Sequence, residues 1–493
     1  MYKFLDTPDY KKLQILAILE NNADLMALKI IGEQLDLSSY QLTKCIEMIE
    51  ADVQHIDTYN EPFKLEIKNK HIRLVDKPAC SIVNAFGHYY AKNSRFAPFI
   101  KSFLVEDVIR QRDFLENNFI SQTSFFEIKN DLAEKLGMID IQISPKLTLF
   151  GDELFIRSFF YNYYLNFHQD PDFPMPADIK AKTIELMDEL TGALNISLTH
   201  TDQIKLMYYL SVSARRLEHE HFIDENIVNR KSYKKNKNIW PADLLDKTFT
   251  ILTKHYPTIA PAHLKTEASA FLNCLYAENM MSINFETLPH DPDLAKLINL
   301  FEDSVSATFN LEKIFYDDIF DAEFQENLQR FFFRLVNYGY PQATLFDVEN
   351  LTFLETQYSK LFAFAHAFVQ QMYHALHGKV AFFKLYQAEI AYDLLFLLIS
   401  NPKIAYLAQT VHIAIDFTYG KAYNDYIKKN IISLKSLRLI VSDHVTDETD
   451  ILISNHVPDY ENVLKLQWTN PPTTNDWDDL RNILLTIKET KNL

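Results

Sequence analysis

At 493 residues, with 47% apolar and 13% aromatic content, the chain exceeds what one hydrophobic core organises and is too rich in core-forming residues for extended disorder. Three scattered cysteines, Cys45, Cys80 and Cys274, exclude a disulfide framework, and eight glycines with no GxGxxG or GxxxxGK run exclude the common phosphate-cradling loops. The net charge of −17 disfavours nucleic acid at first sight, but residues 1–160 hold 19 basic and 23 acidic residues, so the acidity lies mostly in the remaining 333.

Taken in chain order, Tyr10 to Glu20 predicts a helix with Leu13, Leu16 and Leu19 on one face, and Asp24 to Leu35 a second carrying Leu25, Leu28, Ile31 and Leu35. Asp36-Leu37-Ser38 then opens a third, which Ser38 or Ser39 can cap through its hydroxyl. Leu42, Ile46 and Ile49 face inward and Tyr40, Gln41, Lys44 and Glu47 face solvent, the grammar of a helix-turn-helix. Phe63 to Leu74 alternates apolar and polar residues around Asn69-Lys70, predicting a β-hairpin whose polar side and tip carry Lys64, Lys68, Lys70 and Arg73. Such a wing can grip phosphates beside a groove occupied by the third helix; a solvated hairpin on a small helical module is the plainer alternative.

The pattern returns. Phe114 to Phe119 ends a helix, Ser121-Gln122-Thr123-Ser124 opens the next through Leu136, and Gly137 is expected as its C-cap. Ile139 to Phe150, with Pro145 at the turn, predicts a second hairpin, and Gly151 to Arg157 turns the chain back into a helix. Lys129 and Lys146 are the basic residues expected at this second reading head, a sparse set that points to avidity or DNA shape rather than many base contacts.

Beyond a Pro-containing connector from His168 to Pro176, long amphipathic helices are expected, among them Ile184 to Leu194, Asp202 to His219, Asp321 to Tyr338 and Tyr358 to His377. After Asn401 short β-type runs, Val411 to Phe417, Leu437 to Val441, Ile451 to Ser454 and Leu464 to Trp468, alternate with helical Lys421 to Asn430 and Trp477 to Lys488. That alternation predicts a small α/β domain with a mainly parallel sheet.

Several motifs carry plainer readings. His219-Glu220-His221 and the pair His374 and His377 lack a compact set of further ligands, so no metal and no cofactor is expected. The basic run Arg230 to Lys237 reads as a solvated loop before a phosphate contact, and Phe331-Phe332-Phe333 and Phe382-Phe383 read as core. No catalytic constellation stands out, so an enzyme is not expected.

The stretch Ser121 to Gly137, followed by Leu147-Thr148-Leu149-Phe150-Gly151-Asp152-Glu153 and Ile156-Arg157, resembles the Mga/AtxA family of transcription regulators of Gram-positive bacteria, some of them virulence activators. The order of parts over the whole chain adds to the likeness. It implies a mainly α, multidomain fold: winged helix-turn-helix units at 1–76 and 77–168, helical-bundle phosphotransferase-system regulation domains (PRD) at 169–288 and 289–402, and an enzyme-IIB-like α/β domain at 403–493. In such regulation domains phosphocarriers phosphorylate histidines; here Tyr209 and Phe396 stand where histidines are usual, leaving His200, His219, His221, His366, His374 and His377 as candidates. The α/β domain lacks the nucleophilic cysteine of an active enzyme IIB, since none follows Cys274, and is left to dimerisation or docking.

The expectation is therefore a cytoplasmic DNA-binding transcription regulator, an activator acting as a homodimer on double-stranded promoter DNA, with no membrane insertion. Ser39, Tyr40, Gln41 and Lys44, and Gln122, Thr123, Ser124 and Lys129, would face major grooves, with Lys64, Lys68, Lys70, Arg73 and Lys146 on the backbone. The phosphocarrier protein and RNA polymerase are the protein partners the likeness implies. An RNA-binding antiterminator and a non-enzymatic phosphotransferase partner are the alternatives; the first usually begins with a β-rich module, and this N-terminus reads as helical.

Overall fold

Pro8 in the first turn and Leu13, Ile15, Leu16 and Leu19 on the inner face make Thr7–Asn21 the first helix, α1, of a computed structural model. The structure describes residues 1–22, 24–56, 64–75, 81–167, 175–224, 240–282, 292–309, 320–338, 354–355, 358–376, 386–401, 410–432, 438–456, 460 and 463–490. They divide into two units, Met1–Leu294 with Phe333–Asp347 and Gly378–Tyr386, and Ala295–Phe332 with Val348–His377 and Gln387–Leu493.

In the first unit the expected helix from Asp24 begins only at Leu28. Met26–Ala27 (β1) is extended and pairs with Ile72 and His71 of the hairpin, so its backbone groups belong to a sheet rather than to a helical turn. Leu28–Gln34 (α2) and Ser39–Asp52 (α3) follow, then Lys64–Lys68 (β2) and His71–Val75 (β3) in a sheet of order β1-β3-β2. Asn69 and Lys70 both take positive φ, 50° and 61°, which matches the hairpin turn to the strand twist. Phe63 lies outside the described residues. The buried ammonium of Lys12 ties the helices together, 2.8 Å from Asp9 and 2.6 Å from Asp52, which also accepts the Tyr90 hydroxyl at 2.8 Å.

Ile82–Asn93 (α4) starts on Ser81 and on Glu20 of α1, whose carboxylate accepts the Ile82 and Val83 amides. Ala97–Val105 (α5), Gln111–Asn118 (α6), Gln122–Gly137 (α7), the short strands Gln142–Ile143 (β4) and Leu149–Phe150 (β5), and Glu153–Phe167 (α8) complete this region. Gly137 is the last helical residue rather than a left-handed cap. A further turn, with the Ile139 and Ile141 amides on the Leu136 carbonyl, moves the left-handed position to Asp140, φ 56°. Helix α8 is buried nearly all round, with Phe4 against Phe159 and Tyr2 against Phe167. Ala177–Leu194 (α9), His200–Glu218 (α10), Ala242–His255 (α11) and Pro261–Ala277 (α12) form the helical remainder, α10 opened by a Thr199/Asp202 capping box. The basic run Arg230 to Lys237 and most of the connector His168 to Pro176 lie outside the described residues.

In the second unit Pro292–Phe309 (α13), Ala322–Phe333 (α14) and Ser359–Ala375 (α15) pack around Phe301, whose ring meets Phe320, Phe324, Phe332, Phe364 and Phe368, and Gln387–Ser400 (α16) packs on α15 with Tyr392 against Phe362. The triple phenylalanine is core, as expected; the α-helix stops at Phe333, which with the π-helical turn Arg334–Tyr338 belongs to the first unit. Phe382, Phe383 and His377 lie outside the described residues. Thr410–Ile415 (β6), Lys421–Ile432 (α17), Arg438–Ser442 (β7), Ile451–Ser454 (β8), Leu464–Gln467 (β9) and Thr474–Thr490 (α18) make the α/β part, a wholly parallel sheet of order β7-β6-β8-β9. Val411, Ile413, Ile415, Ile451 and Ile453 meet Ile427, Ile431, Trp468 and Leu480 in its core.

Ile413→Ala on the central strand is expected to destabilise this sheet by about 2–5 kcal/mol. The tryptophan fluorescence transition in urea of a Trp240→Phe background, which leaves Trp468 and Trp477 as reporters, checks this by moving to lower denaturant.

Candidate nucleic-acid interface

Helix α3 begins with a complete capping box. Ser38 Oγ accepts the Gln41 amide at 3.3 Å, and the Gln41 side-chain oxygen accepts the Ser38 amide at 2.9 Å and the Ser38 hydroxyl at 2.8 Å. Of the two serines offered by the sequence, Ser38 is the cap, and Ser39, Tyr40 and Lys44 are exposed along the first turns. Gln41 is exposed too, but its carboxamide oxygen is committed to the cap. Leu42, Ile46 and Ile49 are buried on the opposite face.

The first wing presents Lys64, Lys68 and Lys70 to solvent. Arg73 differs. Register places it opposite Glu66, and its Nε lies 2.5 Å from that carboxylate, so its charge is already balanced.

In the second head Ser121 caps α7 by accepting the Ser124 amide at 3.1 Å, and the two hydroxyls are 2.9 Å apart. Gln122 and Thr123 are exposed, whereas Ser124 is half-buried in the cap. Half-buried Lys129 sits over the Phe126 ring, 5.5 Å from its centroid. The second wing is much shorter than the first, two residue pairs closed by Ser144 and Thr148, with Lys146 exposed at its turn.

Behind this head lies a feature that sequence reasoning missed. Arg157 on α8, 3% exposed, holds Glu153 at 3.0 Å and grips Glu267 of α12 with both terminal nitrogens, at 2.6 and 2.9 Å. Arg216 on α10, 1% exposed, grips Glu153 at 2.9 and 2.7 Å and reaches Asp107 at 3.2 Å. His221 Nε2 is 2.7 Å from the same Asp107 oxygen, while the Arg215 guanidinium donates to the Val105 carbonyl, 3.3 Å from His219 Nε2. The end of α10 thus clasps the segment between α5 and α6. Glu153 and Arg157, four residues apart within apolar neighbours, were the readable signal, since charges in such a helix require partners.

Burial alone would raise both acids, yet their partners prevail. Glu153 is held below its ordinary value of 4.5 by the hydrogen bond and charge of Arg216 and by Arg157, and Asp107 below 3.8 by His221 and Arg216. Burial, reinforced by the Arg215 charge, pushes His219 down from 6.5.

The remaining histidine candidates are dispersed. His200 is exposed at the start of α10, and His374 is exposed near the end of α15. His366 is half-buried against Phe362, 4.3 Å between ring centres. Among the described residues, Glu185, Glu189 and His255 bring three donor atoms within 4.8 Å of one another, and the Lys254 ammonium, 2.5 Å from Glu189, already supplies a cation there. No helix of the described residues is long and apolar enough to cross a membrane.

Residues 80–164 match the family model of the Mga helix-turn-helix domain. That segment is similar to the helix-turn-helix domain of Mga-type regulators. The matched segment contains α6, α7, the second wing, and the Asp107, Glu153 and Arg157 side of the clasp, while Arg216, His221 and Glu267 lie beyond it. Comparison with curated proteins finds no match.

Arg216→Met leaves Glu153 with Arg157 alone and Asp107 with His221 alone and is expected to cost about 3–5 kcal/mol, part of it recovered by adding Glu153→Gln; chemical denaturation of wild type, the single and the double variant measures this. The linkage of all three shifted groups has one sign. Each is depressed in the folded state, so stability is complete above 6.5, erodes as His219 begins to charge, and falls further below 4.5 as Glu153 and then Asp107 must protonate. Melting temperature followed from neutral to acid pH should decline accordingly, and less steeply in Asp107→Asn.

Proposed function

We propose that the chain is a transcription regulator that binds promoter DNA as a dimer through two winged helix-turn-helix units, 1–76 and 77–168, and activates transcription in the cytoplasm. The observation that carries this reading is the Mga-type domain at 80–164, with Gln122 and Thr123 exposed on the first turn of α7. Its support is the repetition of that arrangement upstream, where α2, α3 and a lysine-bearing hairpin stand in the same order. Lys64, Lys68, Lys70 and Lys146 would meet phosphates; Ser39, Tyr40, Lys44, Gln122, Thr123 and Lys129 would approach the groove, and Arg73, Gln41 and Ser124 would position them.

The helical parts at 169–288 and 289–402 would serve as regulation domains, and 403–493 would dock or dimerise, having no cysteine with which to carry phosphate. Of the candidate histidines, His219 and His221 are the ones for which a phosphoryl group would have a direct consequence. A dianion on His221 would face the Asp107 carboxylate now 2.7 Å from its ring and open the clasp behind the second head.

The test is gel-shift binding to promoter-length duplex across a salt series, comparing wild type with the Lys64→Ala, Lys68→Ala, Lys70→Ala triple variant. The log–log salt slope should be steep for wild type and shallower by about 3 for the variant. Absence of binding by folded wild type at low salt would replace this reading with a non-enzymatic phosphotransferase partner carrying vestigial heads.

A further inference from the structure

The second head carries a surface for which its own packing gives no reason. Phe119 is 95% exposed and holds the left-handed conformation, φ 52°, in the turn between α6 and α7. A bulky side chain is disfavoured in that backbone region and unfavourably hydrated when left open, and no burial offsets either effect. Two residues later Ser121 caps α7. On that helix Phe126 is 41% exposed, one turn beyond Gln122 and Thr123 and on their face, with its edge on Phe125 and Lys129 over its ring. The exposed face of α7 thus carries Gln122, Thr123, Phe126, Glu127 and Asn130, an aromatic ring among polar and acidic side chains where a reading helix more often offers arginine or lysine.

We infer that the second head reads duplex DNA by apolar contact, Phe126 and the Thr123 methyl meeting thymine C5-methyl groups in the major groove while Phe119 packs against the adjoining sugar edge. This rests on the DNA-binding role proposed above. DNA is the occupant because both rings flank the first turns of the second helix in a helix-turn-helix domain, the element that enters the groove. The chemistry suits it. The thymine methyl is the one apolar mark on the major-groove edges of the bases, and phenylalanine and threonine methyl groups are its ordinary partners. The ammonium of Lys129, held over the Phe126 ring, would approach the groove beside the aromatic contact without displacing it.

The experiment uses the full chain and two promoter-length duplexes identical in sequence, one with thymine and one with uracil throughout, which removes the methyl groups and keeps every hydrogen bond of the pairs. Wild type, Phe119→Ala, Phe126→Ala and Phe126→Leu are titrated by fluorescence anisotropy at two salt concentrations. Uracil should weaken wild type by about fourfold for each methyl contacted, and Phe126→Ala should bind thymine DNA correspondingly more weakly and keep only the share of the discrimination that the Thr123 methyl carries. Phe119→Ala, a fully exposed site whose removal leaves the fold intact, should weaken both duplexes by about tenfold with an unchanged salt slope, since no charge is removed. Phe126→Leu keeps the packing on Phe125 and should retain part of the discrimination, which separates contact from folding. Equal wild-type binding to both duplexes, or full affinity in Phe119→Ala accompanied by a loss of self-association, would overturn the inference while leaving the DNA-binding role standing; no binding by wild type to either duplex removes both.

Discussion

Two guanidiniums buried among three carboxylates form the constraint on which the first unit depends. Taking such groups out of water is unfavourable by several kcal/mol each, and their mutual attraction compensates only when the geometry is good and remaining donors are satisfied. Here they are. Arg157 engages Glu153, Glu267 and the His221 carbonyl, and Arg216 engages Glu153 and Asp107, so each charge has one arrangement that satisfies it. Apolar residues of similar size could fill the same volume in several ways, whereas this set is satisfied only when α8, α10, α12 and the segment after α5 hold their observed positions. The network therefore acts on uniqueness of arrangement more than on total stability.

Set against that rigid support, the two heads differ in their means. The first offers lysines on a long, twisted hairpin and a helix whose cap is complete; the second offers a short wing and two exposed phenylalanines. Electrostatic attraction is long-ranged and tolerant of sequence, whereas apolar contact needs close approach and a particular surface. In the proposed DNA-binding role, a chain carrying −17 overall would have reason to divide the work this way, because its acidic remainder opposes indiscriminate adhesion to phosphate.

Much of this was legible where one period dominated. The inward leucines and isoleucines of α3, the alternation around Asn69-Lys70, the phenylalanine-rich helices around Phe301 and the β-runs of the parallel sheet follow from local spacing. What escaped depends on partners distant in sequence. Nothing near Met26 announces that His71 and Ile72 will pair with it, and nothing near Gly137 shows that Asp140 will take the left-handed turn. Arg73 looked available until register set it against Glu66. Arg157 and Glu153 could have been read as a buried pair from their apolar neighbours, but Glu267, 110 residues on, could not.

That separation bears on how the protein is made. The matched segment ends at residue 164, so by sequence the second head is finished while its buried arginine still has no bidentate partner, and Glu267, 110 residues beyond Arg157, must leave the ribosome before it can reach it. Until then the emerging head holds Arg157 and Glu153 with their charges incompletely matched, a state that favours looseness over docking. The second head therefore reaches its final form late in synthesis, with the helices behind it, and a grafted or recombined version would have to bring Arg216 and Glu267 along to inherit the same shape.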